Sequence, residues 1–114
     1  MKHLIEHFKI TGGKTHNGKE RLFNKTVTGK IYKYKDVFFA ITVMNDDISR
    51  ATDLETGAKI TEMFKQLTID EVKKLIDNGN YQKGVESYKN KFSGKFKFPV
   101  NDATKIKNFK EIIL

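Results

Sequence analysis

A chain of 114 residues with a net charge of +8, 38% apolar residues, nine Phe, four Tyr and no Cys has room for one hydrophobic core and not for two. The lack of Cys excludes disulfides, zinc–thiolate sites and a cysteine nucleophile, and it agrees with a reducing compartment. No apolar run reaches the roughly 18 residues of a membrane span, and Met1-Lys2-His3-Leu4-Ile5-Glu6 offers no secretory hydrophobic region, so a single cytoplasmic domain over 1–114 with no membrane partner is expected.

In chain order, Met1 to His7 fits both a strand extension and a short helical turn. Phe8 to Val27 reads as a hairpin around Asn17-Gly18, the strongest two-residue turn signal. That turn sets Gly12 opposite Phe23 and Phe8 opposite Val27, a register that keeps these residues on one face. Gly12-Gly13 marks a bulge or a close backbone approach. Ile31 to Tyr34 pairs back through Lys35-Asp36, although neither turn residue favours positive φ as Gly or Asn would.

Val37 to Met44 is the strongest strand of the chain. Val37, Phe39, Ile41 and Val43 fall on one face, and Phe38, Ala40, Thr42 and Met44 on the other are nearly as apolar, which predicts a central strand covered on both sides. Asn45-Asp46-Asp47 stops it. Ile48 to Asp53 follows, then a Leu54-Glu55-Thr56-Gly57 turn with Gly at the left-handed position, and a return strand over Ala58 to Thr61.

Met63, Phe64 and Leu67 belong to a connector that packs on the sheet. Thr68-Ile69-Asp70-Glu71 is a capping box opening a helix with Ile69, Val72, Leu75 and Ile76 at helical spacing, stopped by Asn78-Gly79. Tyr81, Val85, Tyr88 and Phe92 predict a second helix over Asn80 to Phe92, with Gly84 costing about 1 kcal/mol inside it. Lys95 to Phe98 alternates as an edge strand before Pro99. Asp102 or Thr104 caps a last helix with Ile106, Phe109, Ile112 and Ile113 along one side. The expected fold class is α+β: an antiparallel sheet, a meander of hairpins, with two or three C-terminal helices packed on one face.

The charge is segregated. Residues 1–35 hold nine basic and two acidic side chains, residues 36–72 three and eight, and residues 73–114 ten and four, so an acidic middle lies between basic arms. Twenty of the cations are Lys and only Arg21 and Arg50 are Arg. Lys neutralises phosphate as a point charge but lacks the fork that reads guanine, which disfavours base-specific recognition. The same abundance of Lys, Ile and Asn is also what an AT-rich genome produces.

Each chemical motif has a structural competitor. Gly13-Lys14-Thr15 lacks the Gly five residues earlier that a phosphate loop requires, since Phe8 stands there. His3 and His7, with Glu6 and His16, are too few to define a metal centre, and no metal or other cofactor is expected. Asp46, Asp47, Asp53, Glu55 and Glu62 either hold Mg²⁺, solvate turns, or, as Asp46, Asp47, Asp53 and Glu55, form an acidic patch that steers a basic protein partner. Tyr88-Lys89-Asn90-Lys91-Phe92 and Lys95-Phe96-Lys97-Phe98 interleave Lys with rings. That is the recipe for a nucleic-acid platform built from Tyr88, Lys89, Lys91, Phe92, Lys95 and Lys97, and equally that of a strand with a buried aromatic face. No Ser–His–acid constellation is present, and no catalytic residue is assigned.

In its whole manner, compact, Cys-free, rich in Lys, Ile and Asn and devoid of enzyme motifs, the chain resembles small accessory proteins of phages and mobile elements of low-GC Gram-positive bacteria. The resemblance implies a non-enzymatic protein that occupies a surface on a protein or nucleoprotein partner, such as an inhibitor of a host enzyme or defence complex of the anti-CRISPR kind. The alternative is a Lys-rich module that binds nucleic acid without sequence preference.

Overall fold

The computed structural model describes residues 6–45, 48–63, 66–92 and 109–112. Strands β1 (Glu6–His16), β2 (Lys19–Tyr34), β3 (Val37–Asn45), β4 (Ile48–Asp53) and β5 (Lys59–Met63) form an antiparallel meander in sequence order. Helices α1 (Ile69–Asp77) and α2 (Asn80–Lys91) follow, and a short strand β6 (Phe109–Glu111) pairs parallel with β2. The α+β class and the meander match the sequence reading.

Turn chemistry fixes the register. Asn17 and Gly18 both take positive φ, 51° and 75°, the backbone that matches the right-handed twist of the flanking strands. Phe8 then pairs with Val27 and Gly12 with Phe23, as expected. Of the two readings of Gly12-Gly13, a bulge or a close backbone approach, the bulge is not formed, since the pairing runs unbroken from Glu6 to His16. Lys35 and Asp36 adopt the same left-handed geometry, with φ of 48° and 63°, although neither residue favours it. This turn is tied down from outside: Tyr34 Oη donates to Asp77 Oδ1 at 2.8 Å and Lys35 Nζ to the same oxygen at 2.7 Å.

The central strand β3 is covered on both faces. Phe39 and Ile41 join Tyr32, Tyr34, Ala51, Leu67, Val72, Ile76 and Tyr81 in the core under the two helices. Ala40, on the opposite face, clusters with Ile31 and Leu54. Both helices therefore serve one face of the sheet. The capping box is made: Glu71 N–H donates to Thr68 Oγ1 at 3.3 Å and Thr68 N–H to Glu71 Oε2 at 2.9 Å. Gly79 at φ 85° turns the chain from α1 into α2.

Two expectations are corrected. The return strand runs over Lys59–Met63 rather than stopping at Thr61, because β4 offers pairing out to Ser49. The expected last helix is not formed at its C-terminal end, since Phe109–Glu111 is β6 and Ile112 N–H donates to Lys33 O at 2.8 Å. β1 leaves β2 at Gly29, so beyond it the β2 edge offers unpaired backbone groups that a helix would leave unsatisfied. Tertiary pairing overrides a short helical periodicity there. The remaining positions of that helix, 101–108, and the edge strand at Lys95–Phe98 lie outside the described residues, among which there are two helices.

Candidate functional site

The geometry that stands out is the length of β2. Its sixteen residues pair with β1 from Lys19 to Gly29, but with β3 only from Gly29 to Tyr34. Lys19 to Val27 and their β1 partners therefore run beyond the edge of β3 as a two-stranded ribbon, about 30 Å long at the rise of an extended strand. The molecule is correspondingly elongated, 42 Å along its long axis against 29 Å across. Among the described residues neither the outer edge of β1 nor the β2 edge from Lys19 to Val27 pairs with another strand.

Gly29 marks the base of this ribbon. A Cβ there would overlap the Ile41 carbonyl oxygen and lie 2.9 Å from Thr42 Cα, so β2 and β3 approach too closely for any side chain. Beside the same junction, Thr28, Lys30 and Tyr32 of β2 and Ile41 and Val43 of β3 line a cleft of about 220 Å³ together with Gln66, Leu67 and Ile69. Val43 is half exposed there.

The alternation of the ribbon sorts its charge. In an antiparallel pair, directly opposed residues share a face. Lys14 opposes Arg21, His16 opposes Lys19, and Lys25 opposes Ile10, so all five basic positions fall on the face that also carries Phe8 and Val27. Glu20, opposite Thr15, is on the other face. Lys19, Arg21 and Lys25 are exposed, and among the described residues none of them forms an ion pair. In the body, Lys33 pairs with Glu111, Lys35 with Asp77 at 2.7 Å and Arg50 with Glu62 at 2.7 Å. The Lys35 ammonium and the Tyr34 hydroxyl hold the Asp77 carboxyl below its usual range, and the Arg50 guanidinium does the same for Glu62.

Of the acidic residues singled out in the sequence, Asp53, Glu55 and Glu62 are described, and they do not gather as a group of three. Asp53 is 6% exposed and is a structural acceptor. Its Oδ1 accepts from Tyr81 Oη at 2.7 Å, and its Oδ2 from Thr56 Oγ1 at 2.7 Å and Thr56 N–H at 3.2 Å, closing the β4–β5 loop and docking α2 on it. Burial, then the Asp53 charge, pushes the Tyr81 phenol well above its ordinary range. Glu55 is partly buried; desolvation and the neighbouring Asp53 raise its carboxyl while the Lys89 ammonium opposes them. One residue from each proposed patch, Glu55 and Lys89, thus answers the other's charge. Asp46 and Asp47 lie outside the described residues.

The aromatic platform is likewise divided. Phe92 is 1% exposed and its ring meets that of Tyr88 at 4.9 Å, so it has no open face for a base. Lys89 and Lys91 are exposed on α2, Tyr88 is half-buried, and Lys95 and Lys97 lie outside the described residues. Sequence reading placed the hairpin and its register but missed the basic face; projecting the charges onto that register was the signal available. Gly29 carried no such signal, because only the close approach of β3 to β2 makes the position tight.

Among the described residues no three His, Asp or Glu side chains gather as metal ligands, and no helix is long and apolar enough to cross a membrane. No protein-family model, no curated protein and no solved structure matches the chain.

Proposed function

We propose that the chain is a non-enzymatic binding protein that occupies a surface on a protein or nucleoprotein partner, and that the β1–β2 ribbon is the element it inserts. The observation that carries this reading is the nine-residue overhang of β2 beyond β3. An isolated two-stranded ribbon is only marginally stable in water, so a chain that extends one instead of trimming it invests order in a surface used elsewhere. Its backbone edges, which pair with no further strand among the described residues, and its exposed Lys19, Arg21, Asn24, Lys25 and Thr26 are what a partner can meet by strand addition or charge. The resemblance to phage accessory proteins supplies the setting: the cytoplasm of a bacterial host, with a host enzyme or defence complex as the target.

The test is co-purification of tagged full-length protein against a variant in which residues 12–23 are replaced by a tight turn. The far-ultraviolet spectrum and thermal transition report whether the body still folds. Loss of the co-purifying species with the body intact supports the reading, whereas retention of every such species by the shortened variant refutes it.

The second reading, a nucleic-acid-binding module, is favoured by a separate observation: the basic face of the ribbon, whose exposed Lys19, Arg21 and Lys25 form no ion pair among the described residues. The α2 platform supports it less, since Phe92 belongs to the core.

A further inference from the structure

We infer that the ribbon face bearing Lys14, His16, Lys19, Arg21 and Lys25 is a contact surface for the phosphate backbone of duplex DNA, with the ribbon lying in the major groove. This rests on the ribbon being the partner-binding element and names the chemistry of its partner.

Three observations converge on a polyanion. First, the basic residues of the ribbon are sorted: of its strongly cationic positions from Phe8 to Val27 only Lys9 falls on the other face, and no Asp or Glu occupies the basic one. Lysines spread merely to keep an edge soluble have no reason to share a face across two strands. Second, Lys14 opposes Arg21 and His16 opposes Lys19 directly. Opposed like charges destabilise a strand pair, so the Lys14–Arg21 pair near the tip weakens the free protein. An anion between them reverses that cost. Third, among the described residues the exposed cations Lys19, Arg21 and Lys25 form no ion pair, which leaves them available to an anion.

Shape and side-chain type choose among polyanions. The major groove of B-form DNA admits a two-stranded ribbon, while that of an A-form RNA duplex is too deep and narrow. A single strand is held by exposed rings that stack on bases, and α2 supplies no such platform, because Phe92 is buried and Tyr88 is half-buried against it. One Arg among four cations that are charged at neutral pH favours backbone contact over base reading. Binding is therefore independent of sequence and driven by counterion release.

The experiment is fluorescence anisotropy of the full chain with one 30-base-pair DNA duplex, the matching single strand and an RNA duplex of equal length, titrated from about 50 to about 200 mM KCl, a range that counterion release makes informative. Four engaged phosphates give a slope of log K on log salt of about −3.6, or about a 150-fold loss of affinity over that range. The variant carrying Lys14→Gln, Lys19→Gln, Arg21→Gln and Lys25→Gln loses most of that slope, while Lys83→Gln, Lys89→Gln and Lys91→Gln on α2 keep it. The ribbon variant also melts no lower than the wild type, since it relieves repulsion. Absence of duplex binding at the lowest salt, equal or tighter binding of the single strand or RNA, or loss through the α2 variant with the ribbon variant intact each overturns the inference. Absence of DNA binding combined with a co-purifying species lost on ribbon truncation would leave the ribbon as a binding element with a protein partner, so the two readings fail separately.

Discussion

Replacing Tyr81 by Phe tests whether Asp53 is a structural acceptor or a surface charge. The phenol is 2% exposed and donates to Asp53 Oδ1 at 2.7 Å, while the carboxylate keeps two further donors, both from Thr56. Phe preserves the ring in the core and deletes one hydrogen bond to a charged acceptor, a loss of about 2 kcal/mol. For a chain of this size that lowers the melting temperature by about 8 °C. Asp53→Ala strands the phenol and the Thr56 N–H together and costs about 3 to 5 kcal/mol. Because the two residues share one bond, the double variant falls short of the sum by about 2 kcal/mol in a thermal or urea denaturation cycle. The pH profile adds a sign. Burial raises the Tyr81 phenol, so its stabilisation is fully present below pH about 10, where an unfolded tyrosine stays neutral, and is lost as the pH climbs through the raised value. Tyr81→Phe removes that alkaline limb. A Tyr81→Phe protein within about 0.5 kcal/mol of wild type, the range of ordinary surface substitutions, would refute the reasoning and return Asp53 to the surface.

Gly29→Ala puts a methyl group into the Ile41 carbonyl and 2.9 Å from Thr42 Cα, both backbone, so β2 and β3 must separate; a loss of about 3 kcal/mol or more is expected in chemical denaturation, at the upper end of overpacking effects. Asp36→Gly relaxes a left-handed position at φ 63° and should gain about 1 kcal/mol, read as a raised melting temperature. Asp77→Asn weakens the anchor of the same turn: Lys35, then Tyr34, depress the Asp77 carboxyl, so its stabilisation is present above pH about 4 and disappears as the pH falls through the lowered value. The gap in melting temperature between wild type and Asp77→Asn is therefore open at pH 7 and narrows as the pH falls through the lowered value.

Much of the fold was legible because its signals are local. Asn17-Gly18 can take the turn backbone at little cost, and with the turn fixed the two-residue period leaves one register that keeps Phe8, Val27 and Phe23 on a face. Thr68 and Glu71 satisfy each other's backbone within one helical turn. The end of the chain was not legible in the same way. Phe109 and Ile112 repeat at helical spacing, yet residues 109–111 complete an edge of β2 some eighty residues away. Nor was the division of the candidate sites: Asp53 and Glu55 are two residues apart, but one is claimed by Tyr81 and Thr56 in the interior while the other remains partly open.

By itself the sequence determined the α+β class, the meander, the caps and a +8 charge without thiol chemistry, because turn propensity, capping and side-chain period act over a few residues. Only the tertiary structure decided which charges have partners and which strand outruns its neighbours. Those depend on contacts between distant segments: α1 brings Asp77 to Lys35, α2 brings Tyr81 to Asp53, and β3 pairs with β2 only from Gly29 onward, leaving the cations of the ribbon without described counterparts.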